Sequence, residues 1–510
     1  MMEGLGWKMS REKKWNYRYL VYGLVLVLYF IVMVYSIFRH ELWRDELQAW
    51  TIARDLSFFD IIKQMQWEGH PCLWHMILMP FAKLGFPPIT MSFVSFGFMF
   101  ATASIILFKS PFHLPVKIAL VFSSPFLYFY SVNSRVYAII PFLISLLCLI
   151  YPKRFEKPCL YAFILALLVN SHIMMSVFVG IMALLFFIET ICKRNIHWNR
   201  KKYIVPICII LLGVLVCYLQ ISHSLWNNSI ATSIMEGNGY YLQNSIQNFL
   251  YSLLYGFINE VNSFIEIYII DFNKLYIILG MFFLILILGF VFSFKYTCIV
   301  FISYLFLFLV HTFIWFSLPP RTLMILFYIM FATWILYHDD CKKEKQSRNV
   351  FYAWEFILMI LCCISIPYGY RTLKYDIENP VSGALDTSLY IEENLEDAVF
   401  ICPVDYVATS VTGYIHRNIF WSNIRYDYFT FVPWDEYWRK YVTYEDFVNG
   451  IRYYVKEHNN VYILYSKYFL VEYDTYMDEL LENGWIESVY ESPHGLNSES
   501  YWIYKVSEDF

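Results

Sequence analysis

Long apolar runs separated by short polar breaks fill the first three-quarters of the chain. They recur at Tyr19–Phe38, Pro71–Leu84, Pro88–Phe108, Val116–Tyr130, Val136–Tyr151, Cys159–Asn170, Ile173–Ile188, Tyr203–Leu219, Leu275–Phe294, Tyr296–Phe316, Thr322–Tyr337 and Phe356–Pro367. A helix needs roughly 20 apolar residues to cross a bilayer. The longer runs therefore predict transmembrane helices, and the shorter ones either extend into polar flanks or do not cross. Basic Lys8–Arg18 before the first run suggests a signal peptide. That run is too long, lacks a small-residue cleavage site and precedes many similar runs, so it reads as a retained span.

Beyond Val381 the pattern changes. "AVFICPV", "VYILYS" and "YWIYKV" are short and β-rich, and helical patterns such as Thr443–His458 and "YMDELLENG" lie between them, the latter with Gly484 as a C-cap. Strands alternating with helices predict a small α/β domain. The expected organisation is an all-α polytopic membrane domain over 1–370 and an extracytoplasmic α/β domain over 381–510.

Charge orients this arrangement. The most basic breaks, Cys192–Lys202 and Cys341–Asn349, with Pro152–Lys157 in agreement, belong in the cytoplasm, as does the basic N-terminus. The segments 39–70 and 221–274, Ser317–Arg321 and everything after Tyr368 then fall outside. Twelve crossings would return the C-terminus to the cytoplasm, so one run between Pro71 and Tyr151 is interfacial, re-entrant or fused with its neighbour, leaving about 11 spans. Composition agrees. The chain is 59% apolar and 16% charged, which excludes disorder and an ordinary soluble globule. After Arg371 there are 24 acidic and 9 basic residues, so the tail is acidic and the remainder basic. Most of the 11 cysteines lie in apolar runs, with no disulfide framework or zinc spacing. No basic patch suited to nucleic acid is present.

The loop 39–70 carries the densest chemistry. In "HELWRDELQAW" Arg44, Asp45 and Glu46 are adjacent, and Leu47, Trp50, Thr51, Ala53, Ile61, Ile62 and Met65 keep a helical spacing. This predicts one or two amphipathic helices on the outer surface, with Asp45 as an N-cap. Glu68 and His70 close the loop, and Pro71 opens the next run.

An Asp-Glu pair after the first span, a surface helix, then a His-Pro motif resembles the GT-C glycosyltransferases, including the protein O-mannosyltransferases and the aminoarabinose transferases that modify lipid A. The matching residues are Asp45-Glu46 and His70-Pro71-Cys72-Leu73, with Cys72 where the family usually has a second proline. Ser124–Ile139 is similar to the family's proline-then-Arg-x-Tyr stretch, Ser171–Phe178 to a Ser/Thr-His turn, and "LPPRTLMI" to an arginine opening a late helix. The resemblance implies transfer of a sugar from a polyprenyl-phosphate donor to an extracytoplasmic acceptor hydroxyl, from a bacterial plasma membrane. Asp45 is then the general base and Glu46 orients it or touches the sugar.

The remaining assignments follow from what that chemistry requires. A guanidinium matches two phosphate oxygens and keeps its charge, which nominates Arg135 and Arg321. Tyr137 and His70 are placed to assist, and Glu68 and His172 complete the substrate-binding set. His172 and His311 also fit buried, hydrogen-bonded histidines, Glu260 fits a solvated loop acid, and Arg44 fits a salt-bridge or headgroup partner. No cofactor motif occurs. Asp45 and Glu46 have the ligand chemistry for a divalent cation, but two carboxylates alone do not specify one. The acceptor is left open among glycan, lipid and protein. A lipid-linked-sugar flippase or polysaccharide transporter is the alternative from another class. It would place charges along a central path, whereas the acids here cluster at one face.

Overall fold

A computed structural model describes residues 2–192, 200–227, 294–313, 319–341, 345–423, 425–435, 443–466, 471–495 and 499–510. The chain divides into two compact units. One comprises 1–36, 95–132 and 136–373, and the other 37–94, 133–135 and 374–510.

The first unit is helical. Among the described residues seven helices are long and apolar enough to cross a membrane: Tyr17–Ile37, Thr90–Lys109, Val136–Lys153, Ile173–Cys192, Lys202–His223, Pro320–Asp339 and Arg348–Glu378. Pro158–Ser171 and Phe294–Val310 are shorter apolar helices. The run Leu275–Phe294 lies almost wholly outside the described residues, as does most of the expected outer loop 221–274 with Glu260; the side chain of His311 also lies outside them. The apolar run Val116–Tyr130 does not form one helix. It breaks into Leu114–Val121 and a wide turn at Pro125–Phe129, because Pro125 has no backbone N–H to continue the ladder.

Small residues let these helices approach closely. A Cβ on Gly213 would come within 2.7 Å of the Ala166 Cβ. At the same crossing Asn170 donates to the Gly213 carbonyl (2.9 Å) and Gln220 donates to Asn170 (3.2 Å). Interhelical bonds beside small residues are the usual means of joining helices where lipid offers no hydrophobic drive. Helix ends are tied ionically: Arg154 meets Glu189 at 2.8 Å, and Lys295 reaches both Glu189 (2.9 Å) and Asp339 (3.1 Å).

The second unit is built on a five-stranded sheet of Val399–Cys402 (β1), Phe420–Ser422 (β2), Val461–Tyr465 (β3), Ile486–Glu491 (β4) and Trp502–Val506 (β5), in the order β2-β1-β3-β5-β4. β1 pairs in parallel with β2 and β3; β5 pairs antiparallel with β3 and β4. Central β3 is buried at all five positions, as expected for a strand covered on both faces, while edge strand β4 keeps exposed residues. The expected helices are present as Tyr444–Glu457 and Val471–Glu482, and Gly484 takes the left-handed conformation (φ 72°) that ends the second.

This unit also takes in the charged loop, as helices Arg44–Asp55 and Phe58–Glu68. Here the expectation of helices lying on a surface needs correction. Every residue from Glu46 to Ala53 is buried, polar ones included. Leu47 packs against Gly413 of the Asp405–Tyr414 helix, where a Cβ would come within 2.8 Å of the leucine. Phe58–Glu68 keeps a broader exposed face, with Phe58 and Phe59 outward. The run Pro71–Leu84 also belongs to this unit. It forms the 11-residue helix Leu73–Lys83, about 16 Å long at 1.5 Å per residue, too short for a crossing.

Candidate active site

The Arg44–Asp55 helix starts with Glu46 reaching back. Its Oε2 accepts the Trp43 N–H at 3.1 Å, as an N3 glutamate does in a capping box. Glu46, not Asp45, therefore caps this helix. Glu46 is wholly buried, and both its oxygens are engaged. Oε2 also faces His40 Nε2 at 3.0 Å, and Oε1 accepts the Ser134 N–H at 2.5 Å. His40 Nδ1 lies 3.0 Å from the Asp376 carboxylate. Burial opposes charge on His40, but Asp376 and Glu46 outweigh it and hold the imidazole pKa well above its ordinary value. The result is an imidazolium clamped between two carboxylates. With no exposed surface and both oxygens bonded inside the protein, Glu46 is placed as a structural group rather than as one facing solvent.

Through Ser134, Glu46 sets the position of Arg135. The Arg135 guanidinium then meets Asp45 Oδ2 at 3.0 Å and lies 5.8 Å over the Trp43 ring. Asp45 keeps 29% of its side-chain surface exposed and Arg135 18%, so the pair is reachable from solvent. Arg44 contacts Asp45 from its other side (3.6 Å), lies over Tyr406, and donates its backbone N–H to buried Glu499 (2.9 Å). Its role is to join the loop to the sheet-bearing part of the unit, rather than to meet a headgroup.

Glu68 ends the next helix, and Gly69 turns the chain in the left-handed region (φ 76°), which a side chain would resist. Glu68 Oε1 accepts from Gln48 (2.9 Å) and Gln64 (3.2 Å). Burial raises its pKa to about 7, the glutamine bonds oppose the rise, and the Asp45 charge adds to it. His70 stacks on His75, ring centroids 5.4 Å apart.

The other expected residues form a second cluster, within the helical unit. Arg321 Nε donates to Tyr137 Oη at 3.3 Å, and Tyr137 stacks on His172 at 5.4 Å and on Tyr130 at 5.6 Å. Tyr130 Oη bonds the Pro320 carbonyl at 2.5 Å, which fixes the turn carrying Arg321. His172 accepts the Met174 N–H at Nδ1 (3.2 Å) and so caps a helical turn as well. The structure thus gathers Asp45, Arg135 and Glu68 in one unit, and Tyr137, His172 and Arg321 in the other.

Four contributors lie outside the expected set: His40, Asp376, Gln48 and Gln64. His40 lies within the charged stretch, six residues before Glu46. Asp376 has no local signal, because its partner is 336 residues away. Among the described residues no three His, Cys, Asp or Glu side chains converge as a metal site.

No protein-family model matches the chain, and no curated protein resembles it in sequence. The likeness is in three dimensions. The crystal structure of ArnT from Cupriavidus metallidurans bound to undecaprenyl phosphate superposes with a TM-score of 0.50 over 94% of this chain and 97% of that one, at 10% identity. The chain has the overall fold of that ArnT structure. That fold comprises both the polytopic helical part and the C-terminal α/β part, and with the apolar helices it makes this an integral membrane protein. At 10% identity the likeness is one of fold, and residue roles rest on the geometry above.

Proposed function

We propose that this protein transfers a sugar from a polyprenyl-phosphate donor to an acceptor hydroxyl outside the cytoplasm, with Asp45 as general base. The observation that carries the reading is the Asp45–Arg135 pair, solvent-accessible and held by a buried Glu46–Ser134 bond across 88 residues of chain. A base and an anion-binding group side by side are what the reaction requires. The acceptor proton passes to Asp45, the acceptor oxygen bonds the anomeric carbon, and the sugar–phosphate C–O bond breaks with its electron pair leaving on the lipid phosphate. Attack opposite the leaving group inverts the anomeric centre.

In the resting arrangement Arg135 is satisfied by Asp45. A donor phosphate offers the guanidinium a second pair of oxygens and releases the carboxylate to act as base when the donor is in place. Within the helical unit Arg321, steadied by Tyr137, is a further candidate anion-binding group, and burial raises the Glu68 carboxyl to about 7. The solved ArnT structure with undecaprenyl phosphate supports a lipid-phosphate donor. The basic loops support a cytoplasmic N-terminus and an outward-facing Asp45. A non-enzymatic flippase would not need this pair.

The test is donor binding by the full-length protein in detergent. Arg135→Ala should weaken undecaprenyl phosphate binding roughly 10- to 100-fold, the worth of a charged hydrogen bond, and Arg135→Lys should recover part of it. Equal binding by wild type and Arg135→Ala would remove the phosphate assignment.

A further inference from the structure

The second unit contains an open cavity of about 550 Å³ that the transfer chemistry above does not use. Asn418, Arg425, Asp427, Tyr428, Phe429 and Phe431 form most of its wall, within the ordinary size range of small-ligand sites. Polar groups of both kinds stand beside aromatic faces. Tyr428 is 41% exposed, and its ring is set by Trp421, 3.6 Å away between centroids.

The charge of the wall decides which ligand it suits. Arg425 is already matched by Asp435, with Nη1 to Oδ2 at 2.8 Å and a second, shorter bond from Nη2, and Asp405 lies 3.8 Å from its Nε. Asp427 adds an exposed carboxylate. Asp427 accepts the Tyr428 N–H at one oxygen (2.8 Å), and this exposed acid beside a neutralised arginine disfavours a phosphate or carboxylate ligand. A neutral sugar fits: its hydroxyls pair with Asp427 and Asn418, and its C–H face stacks on an aromatic ring.

The segment that lines the cavity is held under constraint. Tyr426 (φ 56°) and Trp434 (φ 55°) bracket it, and they are the two non-glycine residues with positive φ among those described. Such strain concentrates at binding sites. Two glutamines hold the same segment. Gln48 Oε1 accepts the Val432 N–H (3.0 Å) and its Nε2 donates to the Val432 carbonyl (2.6 Å), while Gln64 donates to the Pro433 carbonyl (2.9 Å). Both amides also donate to Glu68. The cavity wall and the acid beside Asp45 are therefore joined by one pair of side chains.

We propose that this cavity is a saccharide subsite for the acceptor, taking a neutral glycan and connected through Gln48 and Gln64 to Glu68. The acceptor role rests on the transfer reading above, whereas the saccharide binding stands by itself. The experiment displays purified full-length protein in detergent on an array of neutral and anionic oligosaccharides, with wild type, Tyr428→Ala, Asp427→Ala, Asn418→Ala and Asp45→Asn, each first checked for unchanged elution and thermal midpoint. Wild type and Asp45→Asn should retain neutral glycans equally, and the cavity variants that pass the fold check should lose about ten-fold in affinity. Retention of no neutral glycan, retention of anionic glycans alone, or wild-type binding by the cavity variants would overturn the subsite. Full sugar transfer by Asp45→Asn with binding intact would instead overturn the catalytic reading and leave the subsite standing.

Discussion

Asp45 and Glu46 are neighbours in sequence, but successive residues on a helix point about 100° apart. One turns to the accessible face and meets Arg135; the other turns inward and meets His40, Trp43 and Ser134. An Asp-Glu pair is legible in the sequence as a site, yet the division of labour within it is not, because it depends on groups far along the chain. The two should separate experimentally. Glu46→Gln leaves a buried imidazolium with one carboxylate fewer and should cost about 3 kcal/mol of stability, read by chemical denaturation where unfolding is reversible. Asp45→Asn, at a partly exposed position, should leave the unfolding midpoint nearly unchanged. A Glu46→Gln variant as stable as wild type would remove the clamp from the account. Arg44 shows the same limit: its charge was visible, but its anchor Glu499 is 455 residues away.

Elements were easier to read than their surroundings. The strands β1, β3 and β5 and the two helices between them follow from apolar runs and caps. Thr443 caps Tyr444–Glu457 with a reciprocal Asp446 bond, a signal contained in four residues. β2 was missed because three residues carry no period, and β4 because an edge strand does not alternate cleanly. The Arg44–Asp55 helix was assigned correctly as a helix and wrongly as a surface one. Its polar Gln48 looks solvent-facing in sequence, but it bonds the Val432 backbone inside the protein. Gly413 is where this packing is tightest. Gly413→Val should drive a methyl into Leu47 and cost about 1–3 kcal/mol, with loss of sugar transfer following loss of the fold. A fully stable Gly413→Val would show that the helix docks less closely.

For the whole molecule, buried acids set the response to pH. Burial raises Glu41, Glu68 and Glu499 to about 7 and Asp405 to about 6. Each holds its proton more tightly folded than unfolded. The stabilisation this gives is complete in acid, below the unfolded carboxyl values near 4, and is lost as pH rises through about 7. The thermal midpoint of the purified protein should therefore fall between about pH 5 and pH 8, and Glu68→Gln should flatten the fall; a midpoint rising over that range would contradict the buried-acid assignments. The fold itself was legible because apolar runs, a charged loop and an α/β tail are properties of order along the chain, which survive at 10% identity. The central claim is that Asp45 takes the acceptor proton. It is tested most directly by transfer of labelled sugar from polyprenyl-phosphate donors in membranes carrying wild type or Asp45→Asn at equal expression. The account predicts transfer reduced roughly 10²- to 10⁴-fold, the usual worth of a general base, with donor binding retained. Undiminished transfer by Asp45→Asn would contradict it.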